Sequence, residues 1–271
     1  MDAAWSADED PVVGVVDREA DGSEAVAVDD TLESVLADAG GTAVDGSLED
    51  VLSAEPSVLL AAGEGTLSAV ARADVNLPVL PVGSVSGIES VDCDHLPDAL
   101  EAVLDGRAVR RTRSVLGVSL ESDPADDGES SENLVRERAL FDVTLITDEP
   151  ARISEYGVRS RDRAVATFRA DGVVAATPAG SHGYASAVDA PHLSAAVDAL
   201  TVAPIGPFVT QTRQWVLPND DLAFTVERED CTVTLVVDGR SIGTVTIDSR
   251  VDVSLAGTLP TLVVPDEQLA E

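Results

Sequence analysis

Lysine is absent from the 271 residues: all 17 basic residues are arginine, set against 50 acidic ones, for a net charge of −33. With no basic stripe to meet phosphates in bulk, nucleic acid and anionic membrane are excluded as expected partners. Aromatics make up only 3% of the chain, so the 44% hydrophobic content must build its core from Val, Leu and Ala. Cysteine is nearly absent too. Cys93 and Cys231 have no C-x-x-C neighbour, which argues against a disulfide or a zinc site, and no metal ligands are assigned. No apolar run approaches the ~20 residues that span a bilayer. The opening MDAAWSADED lacks the basic and apolar parts of a secretory leader, so a soluble, cytoplasmic protein is expected. A surface this acidic repels itself where the Debye length is roughly 8 Å and becomes tolerable at molar salt, where it is about 3 Å. The composition reads as that of a halophile's cytosolic protein.

What is present is regular. Residues 1–10 read as a frayed acidic tail, and Pro11 to Val16 as a buried strand. Asp30-Thr31-Leu32-Glu33 has capping-box spacing ahead of a helix that ends at Gly40-Gly41, and Ser47-Leu48-Glu49-Asp50 repeats the start signal. Apolar runs at 58–62 and 79–82 alternate with helical patterns after Gly65 and from Asp98 to Leu104. Strands alternating with helices predict an α/β N-terminal domain with a mostly parallel sheet over residues 11–106. Residues 107–265 change texture, with short strands separated by turns, among them the hairpin signal Asp238-Gly239. They predict an antiparallel β-rich C-terminal domain. Residues 121–133 (ESDPADDGESSEN) read as a solvated acidic surface loop within it.

Two stretches carry chemistry. Val58-Leu59-Leu60-Ala61-Ala62 runs into Gly63-Glu64-Gly65-Thr66, a small turn between a strand and a helix, where free N–H groups can cradle phosphate. The carboxylate of Glu64 repels phosphate unless it takes a proton or holds a metal ion. Ala170 to Tyr184 runs from a buried strand into Thr177-Pro178-Ala179-Gly180-Ser181-His182-Gly183-Tyr184. Small residues there admit a ligand to the backbone, hydroxyls orient it, and Tyr184 offers a stacking face. On the residues alone, this stretch is either a ligand loop or an ordinary turn before a helix. His182 is a loop hydrogen-bonder or a ligand contact. His95 and His192 read as surface or cap residues, and Arg161, Arg163 and Arg169 as a solvated face or phosphate contacts.

Together, the two loops resemble the NAD kinases. That family pairs a Gly-Gly-Asp-Gly-Thr turn with a Thr-Pro-Thr-Gly-Ser-Thr-Ala-Tyr loop. This chain reads Ala62-Gly63-Glu64-Gly65-Thr66 and Thr177 to Tyr184, with Ala170-Asp171-Gly172, Ala203 to Phe208 and Val237-Asp238-Gly239 as further similar segments. The order holds from about residue 11 to 255, as in a haloarchaeal-type, divergent member. The resemblance implies the family's two-domain fold and phosphoryl transfer from ATP, or polyphosphate, to the 2′-hydroxyl of NAD, giving NADP. Mg²⁺ is then expected with the ATP, and a homo-oligomer is expected because family members are usually dimers or tetramers. By the same resemblance Glu64 is the catalytic base, and Gly63, Gly65 and Thr66 form the phosphate cradle. Asp142 contacts ribose, Asp171, Thr177 and Gly180 belong to the dinucleotide site, and Ser181, His182, Gly183 and Tyr184 line the adenine pocket.

The departures from the family pattern define a second reading. Glu64 stands where the family has an aspartate, and its extra methylene moves the oxygens by about 1.5 Å unless the loop adjusts. The family's Ala-Leu-Asn-Glu-Val is similar to Ala139-Leu140-Phe141-Asp142-Val143, where Phe141 cannot replace an amide. The Thr-Ala before the loop tyrosine has become His182-Gly183, and the family's Asn-x-Gly-x-x-Gly-Phe is blurred into Gly83 to Ile88. The alternative is therefore a catalytically impaired dinucleotide-binding paralogue, acting as a sensor or partner subunit.

Overall fold

Valine, leucine and alanine runs with few rings pack as short parallel strands covered by helices, then as antiparallel sheets. In the computed structural model, the residues described are 3–4, 10–16, 26, 28–121, 134–149, 152–209, 213–228, 231–247, 249–265 and 267. The acidic stretch expected at 121–133 lies outside them apart from Glu121. The chain divides into two compact units, Met1–Arg113 with Thr258–Glu271, and Ser114–Gly257.

In the first unit, parallel strands run in the order Thr42–Gly46, Val12–Val16, Val58–Ala62 and Val79–Val82. The register pairs Val13 with Ala43 on one side and Val58 on the other, and Leu59 with Val79. Helices Asp30–Asp38, Leu48–Ser53, Gly63–Arg72 and Leu96–Leu104 connect and cover them. The first helix is capped one residue earlier than its capping-box spacing predicts. Asp29, in extended backbone, accepts the N–H groups of Thr31 and Leu32 through its carboxylate. Ser47 caps the second helix as expected, accepting the Asp50 N–H. Leu32, Leu36, Leu60, Leu80, Leu96, Leu100 and Val103 form one buried cluster with Leu262 and Val264. The N-terminal stretch is not wholly frayed, since Ala3–Ala4 pairs antiparallel with Val109 and Arg110.

The division between the compact units does not coincide with the expected boundary at 106/107. It falls at Arg113/Ser114, inside the strand Val109–Glu121, and residues 258–271 return to the first unit. The reason is the long strand Arg250–Val263, whose residues 250–253 pair antiparallel with Leu222–Arg228 while Thr261 pairs parallel with Val79. Arg113, almost wholly buried, pins this return by donating from Nε to Thr261 Oγ1 at 3.1 Å and pairing with the Glu89 carboxylate. Burial alone would raise the Glu89 pKa, but a backbone N–H and the Arg113 and Arg111 guanidinium groups outweigh it and hold the carboxyl below 4.5. A depressed carboxyl contributes stability that is present above its ordinary pKa and lost as pH falls through the lowered one. Glu89→Gln is therefore expected to destabilise the protein by about 2 kcal/mol at neutral pH, less than a fully buried pair because Glu89 is half-exposed. The difference should vanish in urea titrations run well below pH 4.

In the second unit, a six-stranded antiparallel sheet runs Trp215–Pro218, Ala199–Ile205, Gly172–Ala176, Asp142–Thr147, Val233–Val237, Arg240–Val245. Asp238-Gly239 makes the hairpin between the last two strands, as its sequence predicts. Ser154–Ser160 pairs with both Arg163–Ala170 and Leu222–Arg228 in another antiparallel layer. Tyr156, Phe224, Leu145, Leu200 and Leu235 lie in the buried cluster, and Phe168 stacks on Trp215 with centroids 5.8 Å apart. No described helix is long and apolar enough to cross a membrane.

Candidate active site

In the first unit the buried strand Val58–Ala62 passes straight into the helix Gly63–Arg72, so the expected turn is the helix's own first turn. One residue makes the reversal. Gly63 has φ +71°, a left-handed conformation that costs a side-chain-bearing residue roughly 1 kcal/mol. Ala62 gives the helix no side-chain cap, which leaves its first N–H groups open to an anion. Glu64 and Gly65 are exposed, while Thr66 is buried and its Oγ1 has no hydrogen-bond partner among the described residues. A polar atom so placed costs about 1–3 kcal/mol until something bonds it.

Glu64 does not wave freely. Its Oε1 accepts the Ser86 N–H at 2.9 Å and so ties the Gly83–Ile88 loop to the helix start. The other carboxylate oxygen makes no hydrogen bond among the described residues. The longer side chain thus has a structural use, one of its oxygens being fixed by Ser86.

In the second unit the strand Gly172–Ala176 delivers the Thr177–Tyr184 loop, which takes two short 3₁₀ turns at Gly180–His182 and Tyr184–Val188. Thr177 anchors it. Its N–H donates to Phe141 O at 2.9 Å and its hydroxyl to Leu140 O at 2.7 Å, while Oγ1 accepts the Gly180 N–H. Gly180 is required by closeness, because a Cβ there would lie 2.1 Å from the Phe141 carbonyl oxygen. Gly180→Ala is expected to lower stability by about 2–3 kcal/mol, as overpacking against backbone does, read as a lower urea midpoint at unchanged m-value. Ser181 is fully buried, donates to Pro178 O at 2.7 Å and accepts the Leu193 N–H at 2.9 Å. It holds the loop from behind. His182 and Tyr184 are exposed, and Gly183 lies between them half-buried.

Asp142 opens the strand that pairs with Gly172–Ala176, and it lies opposite Ala176. The residue is 9% exposed, and its carboxylate accepts the Thr144 hydroxyl at 3.2 Å. Burial, and then the Asp142 charge, push the Tyr184 hydroxyl above its usual pKa of 10.0. Asp171 is not part of this group. It precedes the far end of the five-residue strand, roughly 17 Å away at ~3.3 Å per residue. There its carbonyl accepts the Tyr156 hydroxyl at 3.2 Å and the Thr147 N–H at 2.9 Å. Of the three arginines, Arg161 is held by both oxygens of Asp220 and Arg169 lies over the Phe208 ring, so each has a protein partner.

One residue central to the geometry is legible in the sequence as a turn and as part of a family-like segment, but not as an acceptor. Asp238 accepts three backbone N–H groups, from Leu140 and Phe141 at 2.8 Å and Asp142 at 3.0 Å, and its own N–H donates to Asp142 O. The amides of residues 140–142 are therefore gripped by Asp238, as is the Asp142 carbonyl, while Thr177 holds the carbonyls of Leu140 and Phe141. Phe141 presents a buried side chain, with no amide to offer a ligand.

Residues 140–264 match the family described as the ATP-NAD kinase C-terminal domain. The chain is 29% identical over 203 residues to an NAD kinase of Clostridium beijerinckii, covering 73% of this chain and 69% of that one. It is 32% identical over 188 residues to an NAD kinase of Acidobacterium capsulatum, covering 68% and 64%. Among solved structures, an Archaeoglobus fulgidus NAD kinase in complex with ATP superposes with TM-score 0.68 over 95% of both chains at 15% identity. Yeast NADH kinase complexed with NADH gives TM-score 0.69 at 19% identity, over 84% of this chain and 67% of that one.

Proposed function

We propose that this chain, which belongs to the NAD kinase family and has its two-domain fold, transfers the terminal phosphoryl group of ATP to the 2′-hydroxyl of the adenosine ribose of NAD. The observation that supports this most is the anchoring of residues 140–142, Asp142 among them, to the start of the Thr177–Tyr184 loop by Thr177 and to the hairpin by Asp238. A carboxylate for ribose hydroxyls next to an exposed ring for a base is what a nucleoside requires.

Residue by residue, Glu64 takes the proton of the 2′-hydroxyl as its oxygen bonds to the terminal phosphorus. The bond from that phosphorus to the bridging oxygen breaks, and ADP leaves with the electron pair. Gly63, Gly65 and Thr66 meet phosphate through the open helix start, and the unpartnered Thr66 hydroxyl gains a bond there. Phosphoryl transfer relies on positioning and charge neutralisation more than on covalent steps. Mg²⁺ enters with ATP as part of the substrate. Phosphate oxygens would supply part of its coordination, and it would neutralise charge at the transferred group. Asp142 accepts ribose hydroxyls, and His182, Gly183 and Tyr184 line the base. Ser181, Thr177 and Gly180 shape the loop, and Asp171 stands apart from this group within one chain.

The test is NADP formation from NAD and Mg²⁺ in molar KCl, with ATP in one arm and polyphosphate in another. NADP in the ATP arm is expected. No NADP above a Glu64→Gln control overturns the reading, and tight NAD binding without turnover would establish the impaired binder instead, for which Phe141 is the motivating residue. A homo-oligomer belongs to the same reading and is checked by sedimentation velocity.

The halophilic reading makes its own prediction. With a net charge of −33, exchanging molar KCl for about 0.1 M lengthens the Debye length from about 3 to 10 Å and restores self-repulsion. The melting temperature is expected to fall by more than about 5 °C, the shift of roughly 2 kcal/mol in a chain of this size. A melting temperature independent of salt would refute it.

A further inference from the structure

Two exposed imidazoles stand together at the edge of the Thr177–Tyr184 loop. His182 ends one 3₁₀ turn and His192 follows Pro191, ten residues on, yet their ring centroids are 4.6 Å apart. The backbone beside each is fixed by buried Ser181, which bonds Pro178 and Leu193 together through its hydroxyl. The rings are inclined by 48°, so this is not a parallel stack.

The spacing matches another arrangement. With metal–nitrogen bonds of about 2.0–2.1 Å, two imidazoles side by side on one ion have centroids roughly 4.5–5.2 Å apart. Both rings are exposed, so rotation of the side chains suffices to aim one nitrogen of each at a common point. Imidazole suits Zn²⁺, Ni²⁺ and Cu²⁺, whereas hard Mg²⁺ prefers oxygen.

We propose that His182 and His192 together bind one borderline first-row divalent ion, with water in the remaining positions. No third His, Cys, Asp or Glu joins them among the described residues, so the site is open and exchangeable rather than structural. It rests on the two rings alone and holds whether or not the chain is a kinase. Its consequence for nucleotide rests on the proposed function. An ion on His182, two residues from Tyr184, occupies the base end of the pocket and competes with NAD.

The probe is Ni²⁺ alone, added to the full chain in molar KCl with excess Mg²⁺ to occupy carboxylates. The chain has only three histidines, His95, His182 and His192, so their imidazole proton resonances report separately. Those of His182 and His192 are expected to broaden together at substoichiometric Ni²⁺ while those of His95 stay sharp. His182→Ala or His192→Ala should each weaken binding in equilibrium dialysis at least tenfold, and His95→Ala should leave it unchanged. Equal broadening of all three, or binding insensitive to both substitutions, overturns the proposal. In a separate arm, NAD affinity should fall on Ni²⁺ addition in the wild type but not in His192→Ala. Failure there, with dialysis as expected, would count against the placement of the base pocket and not against the ion site.

Discussion

Glu64→Gln is expected to lower the maximal rate of NADP formation by about 10²- to 10⁴-fold, the usual contribution of a general base, with little change in NAD affinity. Glutamine keeps the length of the side chain and keeps an oxygen that can accept the Ser86 N–H at 2.9 Å, so the Gly83–Ile88 loop stays tied to the helix start. What it loses is the ability to take a proton. Glu64→Asp makes the complementary change. It restores a carboxylate but withdraws it by about 1.5 Å, so it cannot both keep the Ser86 bond and reach the hydroxyl. A misplacement near 1 Å costs roughly 100-fold, which puts the aspartate variant between wild type and glutamine. Steady-state rates at saturating Mg-ATP, measured in molar KCl, separate the two effects. A glutamine variant at the wild-type rate would remove Glu64 from the role of base.

The length of this side chain shows where sequence reading works and where it stops. Val58 to Ala62 is a continuous apolar run, and its burial as a central parallel strand follows from that pattern. The helix after it was legible too, but not that it begins at Gly63, because a single left-handed residue leaves no trace in periodicity. The strand Thr42–Gly46 is not legible: Thr, Asp and Gly are poor signals, and none of its residues is fully buried. Arg250–Val263 was missed for another reason. Its two ends take partners about 28 and 182 residues away, and no local pattern encodes a choice of partner. At the site, the Thr177–Tyr184 loop was legible through its small and hydroxylated residues. The inward use of Ser181, the pairing of His182 with His192 and the distance of Asp171 from Asp142 all depend on how separate segments are brought together.

Asp238 carries the same lesson to the largest predicted loss of stability. Its sequence context, Val237-Asp238-Gly239, announces a hairpin, and a hairpin needs only a residue tolerant of positive φ, here +45°. The carboxylate does more, closing three N–H groups from residues 96 to 98 positions earlier. Asp238→Ala leaves those three amides without an acceptor, at about 1–3 kcal/mol each, and adds roughly 1 kcal/mol for a Cβ residue in the left-handed region without a bonding side chain. Water reaches this half-buried turn and softens the loss, so about 3–5 kcal/mol is expected, a large part of the 5–15 that holds a domain folded. Asp238→Asn should cost about half as much, because its oxygen can still serve Phe141 and Asp142 while its NH₂ faces the Leu140 N–H. Urea midpoints at constant KCl measure both. The asparagine variant, still folded, then isolates function: with residues 140–142 loosened, Asp142 and the Thr177 loop lose their common support. The KM for NAD should therefore rise several-fold more than kcat falls. An alanine variant within 0.5 kcal/mol of wild type would mean that solvent satisfies these amides unaided, and the turn would then be only a turn.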